Sequence, residues 1–182
     1  MANKKTAERF FWANNILDVQ PADSILEIGC GAGLLAEQIA TRLSTGKLVA
    51  IDKSEAMLDK AIKRNQCFVE KGTAHFFATS FLMSGLPRSV FNKIVAFNVN
   101  FFWKNPVREL KLAQQLLKRG GKLFIFHQAP YNITIQAAQP VINNLETSAF
   151  EILDVQLKKL TPTPAFCIIA KPVKKEEQAT NL

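Results

Sequence analysis

The residues with the clearest chemical content lie between positions 25 and 52. The stretch ILEIGCGAG (25–33) is an apolar run that ends in Gly29, Gly31 and Gly33 and passes directly into a segment of helical spacing. Glycines at a strand-to-helix junction let the backbone turn sharply and let a ligand come close to the start of the helix. The spacing is GxGxG. A dinucleotide fingerprint, GxGxxG, needs glycine where Leu34 stands, and no GKS or GKT follows to hold a phosphate. Glu27 lies inside the apolar run, where a carboxylate is costly unless it meets a positive charge or several N–H donors. Asp52 ends the next apolar run, about 20 residues after the loop, where a carboxylate can accept both hydroxyls of a ribose. The combination asks for a nucleoside that carries a positive centre and no phosphate.

Several short elements have to hold these groups. Apolar runs rich in β-branched residues, at 24–29, 47–52, 74–78, 92–98 and 122–127, alternate with longer amphipathic stretches, which is the pattern of a parallel βαβ sheet. Two further runs, 151–157 and 165–170, are separated only by KKLTPTP, too short for a crossover helix, so the last strand is expected to run antiparallel. Leu35, Ile39 and Leu43 share a stripe of a helix expected over 34–43, and Ser54 is placed to N-cap a helix carrying Met57, Leu58, Ala61 and Ile62. Pro106 opens a helix expected to run over VRELKLAQQLLKR (107–119), with Gly120 and Gly121 as its stop. The fold class expected is α/β: a Rossmann-like, doubly wound, mostly parallel seven-stranded sheet with an antiparallel last strand and helices on both faces.

These residues resemble the class I S-adenosylmethionine-dependent methyltransferases. ILEIGCGAG is similar to that family's first motif, VAIDKSEAML to its second strand and following helix, and LLKRGGKLFIF to the segment leading into its fifth strand. S-adenosylmethionine carries a ribose diol, an adenine, a sulfonium and an ammonium, which agrees with the ligand the acids and glycines ask for. The resemblance implies that Glu27 and the loop Gly29, Cys30, Gly31 and Gly33 cradle the methionine part and that Asp52 holds the ribose. It further implies that Lys53 and Met57 lie beside the adenine and that the Asn98 carbonyl receives the ligand ammonium. Many relatives carry an aspartate after the third strand for the adenine amino group; here the sequence reads ATSF, leaving Thr79 or Ser80 to accept that bond.

Composition fits one domain over 1–182, with the charged ends 1–8 and 173–182 expected to be frayed. The charge is +8, from 23 basic and 15 acidic residues, and no apolar run approaches the ~20 residues of a membrane span. Three cysteines without CxxC spacing and two histidines provide no metal framework and agree with a reducing, cytoplasmic setting. Cys30 has no basic neighbour to make it a nucleophile. The acceptor expected is a small molecule, in a pocket built by the N-terminal segment, residues 98–103 and residues 127–142. Asn100, His127 and Tyr131 are the polar candidates there, and Trp103 a candidate wall. For His127 a hydrogen-bonded structural role is the favoured reading, ahead of a catalytic one. An RNA or protein acceptor is the alternative the positive charge allows, disfavoured because the basic residues are dispersed and NVNF replaces the [DN]PP[YF] of base-amino methylation. A non-catalytic nucleoside-binding module is the third reading. Oligomeric state and pathway are not encoded in any recognisable motif.

Overall fold

Residues 3–173 are described by a computed structural model. The chain runs α1 (Asn3–Leu17), β1 (Ser24–Ile28), α2 (Leu34–Ala40), β2 (Lys47–Asp52), α3 (Glu55–Arg64), α4 (Gln66–Glu70), β3 (Ala74–Ala78), β4 (Phe91–Phe97), α5 (Val107–Leu116), β5 (Leu117–Gln128), α6 (Gln139–Thr147), β6 (Phe150–Lys158) and β7 (Ala165–Pro172). The strands form one sheet in the order β3-β2-β1-β4-β5-β7-β6. Pairings from β3 to β5 are parallel, and β7 is antiparallel to both neighbours. Six strands therefore point one way and the last inserts between β5 and β6 against them.

The central strands are apolar on both faces because helices cover both. On one face Phe10, Ala13 and Leu17 of α1 and Leu35, Ala36 and Ile39 of α2 pack over Ile25, Leu48, Val95 and Phe126. On the other, Leu110, Ala113 and Leu116 of α5 and Val141 and Leu145 of α6 pack over Leu26, Ile94, Leu123 and Ile168. Ser54 caps α3 as its sequence position requires, its hydroxyl accepting from the Met57 N–H at 3.4 Å.

Three details depart from the sequence reading. The helix α1 begins at Asn3, inside the segment expected to be frayed, because its last two turns carry a buried stripe at Phe10, Ala13 and Leu17. Met1, Ala2 and residues 174–182, also expected to be frayed, lie outside the described residues. The helix α2 stops at Ala40 rather than Leu43. The helix α5 stops at Leu116 rather than Arg119, because the chain before β4 captures its end: Ser89 N–H donates to the Gln115 carbonyl (2.8 Å) and Val90 N–H to the Leu116 carbonyl (3.0 Å). Leu117 then turns extended and pairs with Phe91, and residues 118–121 bulge out before Lys122 rejoins the ladder opposite Lys93. Gly120 sits in that bulge at φ 78° instead of capping a helix.

Candidate functional site

The strand order reverses between β1 and β4, and open α/β sheets bind ligands at the carboxyl ends of the strands flanking such a switch. A cleft of about 390 Å³ opens there, within the usual range for small-molecule sites. Its walls come from the ends of four strands: Ile28 and Gly29 after β1, Ile51 to Lys53 after β2, Thr79 to Leu82 after β3, and Val99 to Phe101 after β4. Lys104 and Glu109 complete it from the start of α5.

The glycine loop is fixed from within. Gly29, Gly31 and Gly33 all have left-handed φ values (72°, 52° and 71°), which only glycine adopts without strain. Gly29 and Cys30 donate their N–H groups to the Ile51 carbonyl (2.8 and 3.1 Å), and Gly33 donates to the Cys30 carbonyl (2.9 Å). Gly31 donates to Asp52 Oδ2 (2.8 Å), while Asp52 Oδ1 accepts from the Ser54 N–H (2.9 Å). Asp52 is thereby held rigid at the cleft wall, with acceptor capacity left on each oxygen. Four of the loop's N–H groups are consumed inside the protein and so do not form an anion cradle.

Two residues that the sequence reading did not single out lock the loop from below. Asn65, fully buried, donates from Nδ2 to the Gly33 carbonyl (3.0 Å) and the Ala61 carbonyl (2.9 Å). Arg64 Nε donates to the Ala32 carbonyl at 3.0 Å. A Cβ on Gly33 would lie 2.6 Å from Asn65 Nδ2 and 2.9 Å from the Ala61 Cβ, so the close approach excludes any side chain there. The only sequence signal was an asparagine just past the end of a helix.

Glu27 is 2% exposed and its Oε2 has no hydrogen-bond partner. Burial, reinforced by the charge of Asp52, pushes its carboxyl up to about 8. The Cys30 thiol is likewise pushed well up by burial and then by Glu27 and Asp52, which leaves it protonated and unreactive.

Of the residues singled out from sequence, Gly29, Asp52, Lys53, Thr79, Ser80 and Asn100 line the cleft. Glu27, Cys30, Gly31 and Gly33 stand in and behind the loop, and Met57 projects from α3, partly exposed. Asn98 takes the left-handed region (φ 56°) and bonds the chain beside it both ways. Its Nδ2 donates to the Gln128 carbonyl (3.1 Å), and its Oδ1 accepts from the Gln128 N–H (2.8 Å).

On the acceptor side, the structure does not bring the three candidates together. His127 packs between Trp103 (ring centroids 4.4 Å apart) and Phe166 (5.5 Å). Burial lowers its basicity, and its Nδ1 is unpartnered. Tyr131 is 66% exposed on the loop after β5. Trp103 lies against His127 and Phe166 and does not line the cleft; Phe101 does, stacked parallel to Phe81 at 6.1 Å. Glu109, in the first turn of α5, faces the cleft because that helix starts beside it. Among the described residues no group of three or more His, Cys, Asp or Glu side chains converges as a metal site, and no helix is long and apolar enough to cross a membrane.

The profile of a family described as "Methyltransferase domain" matches residues 25–121, just over half of the chain. An uncharacterized methyltransferase of Bacillus subtilis (strain 168), YdaC, is 31% identical over 165 residues, which are 88% of this chain and 89% of its own. This chain belongs to the methyltransferase family. Solved structures share its fold: geranyl diphosphate methyltransferase (TM-score 0.74, 11% identity, 92% of this chain and 85% of that one) and an O-methyltransferase of Thermotoga maritima (0.69, 17%, 94% and 67%). The cyclase SpnF shares it equally (0.74, 15%, 92% and 82%), so the fold alone does not name the reaction. As a family member the chain is an S-adenosylmethionine-dependent methyltransferase of class I architecture. The residues present fit that cofactor: Glu27 offers an unsatisfied carboxylate oxygen to a cationic group, and the loop has few N–H donors left for a diphosphate.

Proposed function

We propose that this methyltransferase transfers the methyl group to a small-molecule acceptor, with the cofactor held across the switch point. One juxtaposition carries the reading: a glycine loop with its N–H groups already engaged, beside the two carboxylates Glu27 and Asp52. That environment favours a cationic, unphosphorylated nucleoside over a dinucleotide.

When bound, S-adenosylmethionine supplies an electrophilic methyl group on a positively charged sulfur. Asp52 accepts from the ribose hydroxyls on the lone pairs its loop bonds leave free. Thr79 or Ser80 accepts from the adenine amino group, and Lys53 and Met57 flank the ring. Glu27 and the loop from Gly29 to Gly33, Cys30 included, enclose the methionine part, and the Asn98 carbonyl receives its ammonium. The stacked Phe81 and Phe101 give the cleft an apolar wall that excludes water. No side chain has to protonate the leaving group, so alignment is the protein's main contribution. Asn100 is the polar candidate nearest an acceptor, with His127, kept neutral by burial, behind Trp103. Lys118, Arg119 and Lys122 cluster at the start of β5, at the opposite end of the strands from the cleft, which supports a small acceptor over a polyanion.

The test runs thermal unfolding with S-adenosylmethionine, S-adenosylhomocysteine and NAD in parallel, followed by labelled methyl transfer to small-molecule, RNA and protein panels. A ligand at 100 times its Kd adds about 2.7 kcal/mol of stability. The first two ligands are expected to raise Tm. A shift with NAD alone overturns the cofactor site, and label found only in RNA or protein overturns the acceptor class. Binding without transfer to any acceptor would favour a non-catalytic module.

A further inference from the structure

The face of the sheet that carries α5 has a thin cover beside the cleft. A parallel connection is usually made by a helix, yet residues 79–90, between β3 and β4, form only a short 3-10 turn (Phe81–Met83), which touches α5, and irregular chain. That chain reaches the far end of α5, where the Ser89 and Val90 N–H groups meet the Gln115 and Leu116 carbonyls. The connector and α5 therefore lie side by side, from the rim of the cleft at Leu82, Lys104 and Glu109 to the end of the helix. Charge on this strip is one-sided. Between Glu70 and Glu146 the sequence holds nine basic residues and a single acid, Glu109, which faces the cleft. Arg88, Lys104, Arg108 and Lys111 are exposed, and among the described residues none of the four joins an ion pair.

Two large apolar side chains stand among these cations: Met83, 79% exposed, on the turn, and Val107, 55% exposed, one helical turn before Lys111. Leu110, Ala113 and Leu116, on the other side of α5, hold the helix to the sheet, so the outer stripe is not needed for packing. A second copy of this face would set like charges against one another. A single nucleic-acid strand is held by exposed aromatic platforms, and the strip has none. Cations interspersed with protruding aliphatic side chains match an anionic bilayer: the headgroups draw the cations, and the aliphatic tips sink into the boundary between headgroups and acyl chains. We infer that the α5 strip docks on an anionic membrane surface, with Arg88, Arg108 and Lys111 over the headgroups and Met83 and Val107 inserted between them. The contact is peripheral and needs no membrane-spanning helix. Leu82 and Lys104 belong to both the strip and the cleft, so docking sets the mouth of the cleft at the lipid surface.

The experiment sediments the full chain with vesicles of phosphatidylcholine, alone or with about one-third phosphatidylglycerol, at about 0.05 M and about 0.15 M salt. The chain is expected to bind the anionic vesicles only, and less tightly at the higher salt. Arg108→Glu with Lys111→Glu is expected to weaken partitioning about 20-fold or more, and Met83→Ser with Val107→Ser about 5-fold or more. Lys158→Glu with Lys159→Glu makes the same change of net charge at exposed positions by the edge strand β6, and is expected to weaken it less than about 3-fold. Unfolding midpoints equal to wild type report that each variant is folded. Equal binding to both kinds of vesicle, binding to neither, equal losses for the two charge-reversed pairs, or full binding by the Met83 and Val107 variant overturns the assignment. Binding of an RNA duplex at the same salt, with none to vesicles, overturns it in favour of a nucleic acid.

Discussion

Replacing Glu27 by Gln tests the electrostatic core of the site without any knowledge of the acceptor. In the folded chain the carboxyl is pushed from 4.5 up to about 8, by burial first and Asp52 second. Below pH 4.5 both folded and unfolded chains hold the proton, so there is no pH-linked penalty there. Between 4.5 and 8 the unfolded chain releases it while the folded chain keeps it; the unfolded state binds fewer protons and stability falls as pH rises. Above 8 both states are ionised and the loss levels off. At about 1.4 kcal/mol for each tenfold change in proton affinity, the full penalty is of order 5 kcal/mol at most. Glutamine does not titrate, so Glu27→Gln should gain stability relative to wild type from pH 5 to pH 9. Its buried amide offsets the gain by about 1–3 kcal/mol where no acceptor is found. Urea unfolding of both proteins at pH 5, 7 and 9 reads the difference. Parallel stability curves would refute the reasoning, because they would mean that the Glu27 proton affinity is the same folded and unfolded. The variant is also expected to bind S-adenosylhomocysteine more weakly, and wild-type binding near pH 7 to release a proton, seen as a buffer-dependent calorimetric enthalpy.

Gly33→Ala forces a side chain into a left-handed position already filled by Asn65 and Ala61, and should cost about 1–3 kcal/mol in denaturant midpoint while weakening cofactor binding. Asn65→Ala removes the side-chain N–H from the Gly33 and Ala61 carbonyls, leaving Gly33 only the Glu37 N–H (3.1 Å), and is expected to lose about 0.5–1.5 kcal/mol for each bond removed, most visibly as faster amide exchange in the glycine loop. Lys93→Met breaks a largely buried pair with Asp23 (2.6 Å) at the amino ends of the central strands β1 and β4, the end of the sheet away from the cleft; it should lower stability by roughly 3–5 kcal/mol and leave the Kd for S-adenosylhomocysteine unchanged.

The sequence by itself determined the elements whose causes are local. The alternation of apolar runs and helical stripes, the cap at Ser54, the glycines that need left-handed φ and the short 158–164 connection all act within a few residues, and each appears where its pattern requires. Asp52 was legible for the same reason: it ends a strand whose neighbour ends in the loop. What decided the rest was which elements the sheet brings together across long stretches of chain. The insertion of β7 between β5 and β6 cannot be seen in any window of sequence. The α5 helix ends early because carbonyls at 115 and 116 meet N–H groups at 89 and 90. Asn65 reaches a loop 32 residues earlier, and Arg9 meets Gln128 across 119 residues. Periodicity records whether a side chain faces the apolar interior, since that is set by the backbone it sits on; whether a polar group finds its partner there is set by tertiary contact, and among the described residues Glu27 Oε2 and His127 Nδ1 are two of the buried atoms that the folded chain leaves without one.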